Sequence, residues 1–316
     1  MAVTLVTGAA GILGSECVRL LLERSGPDDR VLVLVRDRDP RSRLYAEGLI
    51  DRCIELRAEL SDAERILAEY QPDAVLHLAA QTQVPTANHS PLSTFESNVA
   101  GTWRLLEACR LAARPPARVL VASSDKAYGA GPLPYREDQP LAATAPYDVS
   151  KAATDMIARS YASHFGMPVV VTRCANLYGP GDRHTERLVP HCCARLLQGQ
   201  PPILRSTGRM TREWLFVEDA AEGTLALLDS AAHLSGRAFN LGGGETASVS
   251  EVTRALCALA SGPQPVLADA DPVGEIPHQA LDTQAVQDAV GWRARTPLTL
   301  GLQKTWDWWK AQATRA

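Results

Sequence analysis

The chain contains no Cys-x-x-Cys pair, although it carries seven cysteines, at positions 17, 53, 109, 174, 192, 193 and 257. An odd count without that spacing argues against both a disulfide framework and a zinc site, and no metal is expected. Adjacent Cys192 and Cys193 read as packing residues on a helix. Neither sign of charge dominates: 32 Lys and Arg against 36 Asp and Glu leave a net −4, with a pI near 6.0. That balance gives no reason to expect nucleic acid or an anionic membrane as a partner. No apolar run reaches transmembrane length. The apolar start AVTLVTGAAGIL lacks a basic lead-in and runs directly into a glycine motif, so it reads as a buried strand rather than an export signal. Internal repeats and low-complexity tracts are also missing, and a reducing cytoplasm is the expected compartment. The 316 residues, 46% of them hydrophobic, suffice for one large domain or two unequal ones.

What is present begins with alternation. Residues 3–7 form a short apolar run of the kind found in buried parallel strands. TGAAGILG follows, with Gly8, Gly11 and Gly14 three apart, and then a helical pattern over 15–22. A strand, a glycine turn and a helix in that order point to a dinucleotide site, the alternative being a purely structural glycine turn. Gly8 permits the tight turn, Gly11 lets a pyrophosphate approach the helix N-terminus, and Gly14 lets helix and strand pack closely. Further strands are predicted at 31–35, 53–56, 73–78, 119–122 and 169–172. A helix capped by Ser61 is predicted to run to Tyr70, with longer helical patterns around 92–113 and 147–165. The implied fold is α/β, a Rossmann-type doubly wound parallel sheet, followed by a smaller C-terminal α/β substrate domain. The boundary is set at 1–178 and 179–316, with some segments interleaving. Trp306 and Trp309 read as the packed face of a terminal helix.

Three residues after the second strand leave the cofactor open. Asp37 suits the ribose 2′-OH of NAD, whereas Arg36 and Arg38 suit the 2′-phosphate of NADP. His77 reads as a packed histidine at a strand end, and small Ala79 and Ala80 let a cofactor cross that end. The arginines scattered after Tyr178, at 183, 187, 195, 205, 209 and 212, read as solvated.

The reacting groups lie between. The fifth strand delivers Ser124 at its C-terminal end, and YDVSK places Tyr147 and Lys151 one turn apart on one helix face. A nearby Lys⁺ lowers a phenol's pKa and makes it a usable base. The set suits removal of an alcohol proton as a hydride leaves the same carbon.

Taken in order, TGAAGILG, HLAAQ, NVAGT, SSDKAYG, YDVSK, RCANLYG, TREWLFVEDA and FNLGGG resemble the extended short-chain dehydrogenase/reductases of the nucleotide-sugar epimerase/dehydratase family. The resemblance covers nearly the whole chain. It implies Ser124, Asp125, Lys126, Tyr147 and Lys151 as catalytic residues. It implies Gly8, Gly11, Ile12, Leu13, Gly14, Arg36, Asp37, Glu59, Leu60, Ala79, Ala80 and Asn98, with Tyr147 and Lys151, around the cofactor, NAD with NADP as the alternative. Gln81, Val84, Asn176, Leu188, Val189, Arg212 and His278 are implied to hold a nucleoside-diphosphate sugar. An acid after the catalytic serine is dehydratase-like, and HLAAQ, YRED and PHQA resemble CDP-glucose 4,6-dehydratases in particular. The implied reaction is redox-neutral loss of water to a 4-keto-6-deoxy sugar. Asp125 would act as acid, and Lys126 as base if its pKa falls well below about 10.4; otherwise it would form an ion pair with Asp125. The alternatives are a 4-epimerase, an NADP-dependent keto-sugar reductase and a non-catalytic dinucleotide sensor. The family commonly forms homodimers through helices such as those around 92–113 and 147–165.

Overall fold

The computed structural model describes residues 2–272 and 274–315, the side chain of residue 315 excepted. Seven strands form one parallel sheet: β1 (Val3–Thr7), β2 (Arg30–Val35), β3 (Ile54–Arg57), β4 (Ala74–His77), β5 (Arg118–Ser124), β6 (Val169–Cys174) and β9 (Ala238–Leu241). Their spatial order is β3-β2-β1-β4-β5-β6-β9. The predicted strands all form, with ends displaced by up to two residues. The seventh, β9, overlaps the start of FNLGGG and returns from the C-terminal half to pair with β6.

Alternation along these strands feeds two cores. On β2, Val31, Val33 and Val35 face one cluster with Leu13, Val18, Leu225 and Leu228, from the helices Ile12–Arg24 and Val217–Asp229. Leu32 and Leu34 face the other, with Ile66, Leu106, Ala158 and Ala162. A parallel sheet needs both faces covered, and this division supplies the cover. A second sheet, β10 (Thr246–Ser248), β8 (Thr211–Phe216) and β7 (Asn176–Tyr178), is mixed. Beside it Cys192, Cys193, Leu256, Trp306 and Trp309 pack into a third core, the role expected of both cysteines and both tryptophans.

Two local expectations change. Ser61 does not cap the helix Ala63–Tyr70. A short turn, Leu60–Asp62, precedes it, and Glu59 and Asp62 cap that turn reciprocally. A carboxylate two residues beyond the strand end reaches the free N–H groups before the serine can. The long pattern around 92–113 is broken into Pro91–Phe95, a π turn at Glu96–Ala100 and Gly101–Leu111. Among the described residues no helix is long and apolar enough to cross a membrane, no group of ligands could hold a metal ion, and every cysteine is a free thiol.

Candidate active site

All seven strands run the same way, so their C-terminal ends share one edge, where ligands of open α/β sheets bind. A cleft of about 1770 Å³ opens there and extends over β8. It exceeds the roughly 300–1,000 Å³ of single small-molecule sites, so it has room for a cofactor and a substrate together.

The cofactor end is built from glycine geometry. Gly8 has φ +72°, and a Cβ there would stand 2.6 Å from the Ala79 nitrogen; one on Gly14 would stand 2.1 Å from the Gly8 carbonyl oxygen. Neither position tolerates a side chain. The helix Ile12–Arg24 begins at Gly11 without a side-chain cap. Its first N–H groups therefore face the cleft with no side chain to satisfy them, which suits a pyrophosphate. Arg36, Asp37, Glu59, Leu60, Ala79 and Ala80 line the same end. Arg36 pairs with Asp37 at 2.6 Å. Arg38, the second candidate for a 2′-phosphate, does not line the cleft, and its guanidinium lies over the Tyr45 ring.

The reacting end gathers at β5. Ser124 closes this strand and caps the turn Asp125–Tyr128. Its hydroxyl donates to Asp125 Oδ1 at 3.0 Å. Asp125 is buried, and burial raises its pKa, with the Lys126 charge and the Ser124 hydrogen bond opposing. Tyr147 and Lys151 sit in the first turns of the helix Pro146–Phe165. A buried ion pair fixes that helix: Asp155 accepts two hydrogen bonds from Arg173 on β6, at 2.8 and 3.1 Å. Burial pushes the Tyr147 phenol up; Arg187 is the strongest influence pulling it down. Burial holds Lys151 down to about 8. His77 bonds Thr7 at 2.8 Å and Thr102 at 3.1 Å, and burial holds it down to about 3, the packed role expected.

Most of the expected site residues line this cleft, including Val84, Asn176, Leu188, Val189 and Arg212. Three do not. Asn98 is buried behind it, where its side chain clasps the Gln81 backbone and donates to Ser150. The Gln81 side chain turns to Gln83 and Thr94. His278 is exposed and bonds Thr211, while its neighbour Gln279 faces inward. Lys126 lines the cleft but makes no ion pair with Asp125 among the described residues, so the alternative role of an ion-pair partner is not seen. Asp125 is held by Ser124 and Gln279 instead.

Two site residues were hidden in the sequence. Arg187, read as solvated, pairs with Asp182 at 3.1 Å, donates to Thr82 at 2.8 Å and lines the cleft. Its place directly before the helix Leu188–Leu197 was the available signal. Gln279 lies in PHQA, where the resemblance implies His278; its bond to Asp125, 154 positions away, is visible only in the fold.

Known proteins agree with this architecture. A dTDP-glucose 4,6-dehydratase of Xanthomonas campestris pv. campestris is 32% identical over 99% of this chain and 95% of its own. A crystal structure of a dTDP-glucose 4,6-dehydratase from Streptomyces venezuelae, with NAD bound, is 30% identical, covers 99% of this chain and 98% of that one, and superimposes with a TM-score of 0.89. The UDP-glucose 4-epimerase of Thermotoga maritima, solved with UDP-glucose, is 25% identical over 98% and 99% of the two chains, with a TM-score of 0.88. The relatives' names specify dTDP-glucose and not the CDP-glucose suggested by HLAAQ, YRED and PHQA, which corrects that finer resemblance. The profile of the NAD dependent epimerase/dehydratase family matches residues 4–242, and the chain belongs to that family.

Proposed function

We propose that this chain is a nucleotide-sugar 4,6-dehydratase, converting a nucleoside-diphosphate hexose to its 4-keto-6-deoxy derivative with no net redox change. The observation that carries this reading is Asp125. A buried carboxyl of raised pKa lies beside the Ser124 hydroxyl and influences the Tyr147 phenol. Proton removal from an alcohol does not need such an acid; expulsion of a hydroxyl as water does. The names of the full-length relatives support the same reaction and make dTDP-glucose the first substrate to try.

The glycine turn and the uncapped helix start would hold the pyrophosphate of NAD, with Asp37 at the adenosine ribose. When bound, NAD⁺ accepts the hydride from sugar C4 and later returns it to C6. Tyr147, as phenolate, takes the C4 hydroxyl proton, and Ser124 orients that hydroxyl. A positive charge nearby must offset the burial that disfavours the phenolate, and Arg187 supplies part of it. With C4 a ketone, the C5 proton is acidic. Lys126 takes it, and Asp125 gives its proton to the C6 hydroxyl, which leaves as water. Arg212, buried on β8 and lining the cleft, is the cation for the sugar-nucleotide diphosphate.

Changing Asp125 to Asn together with Lys126 to Met tests the division of labour. With dTDP-glucose the double variant should build up dihydronicotinamide absorbance and an enzyme-bound 4-keto sugar while releasing no 6-deoxy product. Normal product release would remove both residues from the elimination. A 4-epimerase is the second reading, favoured by the close fold match to the Thermotoga enzyme; it would use Tyr147 and leave Asp125 without a task.

The same reading includes a homodimer. Leu92, Trp103, Met156 and Phe165 are exposed on the helices Pro91–Phe95, Gly101–Leu111 and Pro146–Phe165. Sedimentation should give a dimer that Trp103→Glu weakens; a wild-type monomer would refute it. The free thiols suit a reducing cytoplasm.

A further inference from the structure

The segment 277–282 is fastened on two sides. Toward β8, Thr211 N donates to Pro277 O at 3.0 Å, Gln279 N to Thr211 O at 3.2 Å, and Leu281 N to Glu213 Oε2 at 2.5 Å. Toward the loop before the catalytic helix, Tyr135 N donates to Ala280 O at 2.8 Å, and Asp282 N to Tyr135 O at 2.9 Å. A backbone held this firmly fixes where its side chains point. His278 is exposed, and Gln279 is 1% exposed with its amide against Asp125.

Gln279 Nε2 donates to Asp125 Oδ2 at 2.9 Å, while Oδ1 accepts from Ser124. The other end of the same amide, Oε1, is buried without a partner among the described residues. A buried amide oxygen left unpaired is unfavourable. Rotation about the last side-chain bond exchanges the two ends of the amide and places Oε1 against Oδ2, where it accepts a hydrogen bond only when Oδ2 carries a proton. An amide can therefore serve both forms of the carboxyl, donating to the carboxylate and accepting from the acid. A hydrocarbon could do neither, and an ionised glutamate only the second.

We propose that Gln279 is a positioning residue that hydrogen-bonds Asp125 in both of its protonation states, so that the carboxyl keeps one orientation before and after it gives up its proton. This rests on the reading of Asp125 as the acid of elimination. Several other groups face Asp125 and set the charge it feels. These are Ser124 and Lys126 from its own turn, Tyr135 from the preceding loop, Tyr147 and Asp148 from the catalytic helix, Cys174 from β6, and Arg212 and Glu213 from β8. Gln279 is the neutral member of this ring that bonds the carboxyl directly through Oδ2.

The test uses the NAD-loaded enzyme with carbon-13 in its aspartate carboxyls, the Asp125 signal being identified by its loss in D125N. In Q279M, which keeps the length of the side chain without its hydrogen bond, the Asp125 titration midpoint should rise by about one pH unit, because the bond donated to the charged carboxylate is stronger than the one accepted from the neutral acid and its loss costs the carboxylate more. In Q279E it should rise further, since two adjacent carboxyls share a proton. With dTDP-glucose, Q279M should slow water loss by about tenfold and more than it slows C4 oxidation. Its pH profile for water loss should move with the titration. An Asp125 midpoint unmoved in both variants overturns the inference, even if turnover falls, because Gln279 would then only fill space. If D125N releases water as fast as wild type, the acid assignment falls, and the inference with it. If D125N is blocked but neither variant moves the titration, the inference falls alone.

Discussion

Lys151 lies one helical turn after Tyr147, yet its ammonium donates to the carbonyl of Ala122 on β5, at 2.9 Å, and makes no hydrogen bond to the phenol among the described residues. The spacing that seemed to pair base and activator instead anchors the helix to the strand carrying Ser124. The cation acting most strongly on the phenol is Arg187, from beyond the sheet. Lys151, already held down to about 8 by burial, contributes a charge that is easily lost.

Tyr147→Phe should abolish turnover and leave binding of the nucleotide sugar within a few-fold, because only the phenolic oxygen is removed. A loss of less than about tenfold in kcat, or about 1.4 kcal/mol of barrier, would mean that another group takes the C4 hydroxyl proton. Steady-state kinetics alongside calorimetric binding separate the two effects.

Asp155→Ala should cost about 3–5 kcal/mol of stability, because it leaves Arg173 charged and unpaired at 0% exposure. Replacing both partners with leucine and methionine should cost much less than the sum of the single changes. Chemical denaturation reads both. Equal midpoints for wild type and Asp155→Ala would show that the pair does not secure the catalytic helix.

His77 gives a pH dependence of known sign. Its pKa is lowered from 6.5 to about 3 by burial, the Lys151 charge adding to the effect. Between those values the unfolded chain binds a proton that the folded chain does not. The stability contributed is therefore complete above pH 6.5 and is lost as pH falls toward 3, at about 1.4 kcal/mol per pH unit. His77→Gln should lack this slope, so the two stability curves should converge on acidification. Parallel curves would show that His77 is protonated inside the fold.

Six strands of the sheet were legible because each βα unit announces itself locally: an apolar run, a breaker, a helical period. TGAAGILG identified its own chemistry, since only glycine fits Gly8 and Gly14. Ser124, Tyr147 and Lys151 were readable for the same reason, sitting at a strand end and on one helix face. Ser61 misled because a serine before a helical pattern usually caps it, and here Glu59 competes from two residues earlier. The seventh strand went unread as a strand, since its partner β6 lies more than sixty residues back. Arg187 and Gln279 were not read as site residues. An arginine among other arginines looks solvated, and a glutamine in a loop looks like a loop, until the fold brings one near Tyr147 and the other against Asp125.

The central claim is that this site eliminates water through C5 rather than inverting C4. It is tested most directly by running the wild-type enzyme on dTDP-glucose in deuterated water and locating the label by NMR. Elimination with a proton taken from C5 and later replaced from solvent predicts a 4-keto-6-deoxy product carrying deuterium at C5. Recovery of the 4-epimer with no carbon-bound deuterium would contradict the account and leave Asp125 and Gln279 as structural partners.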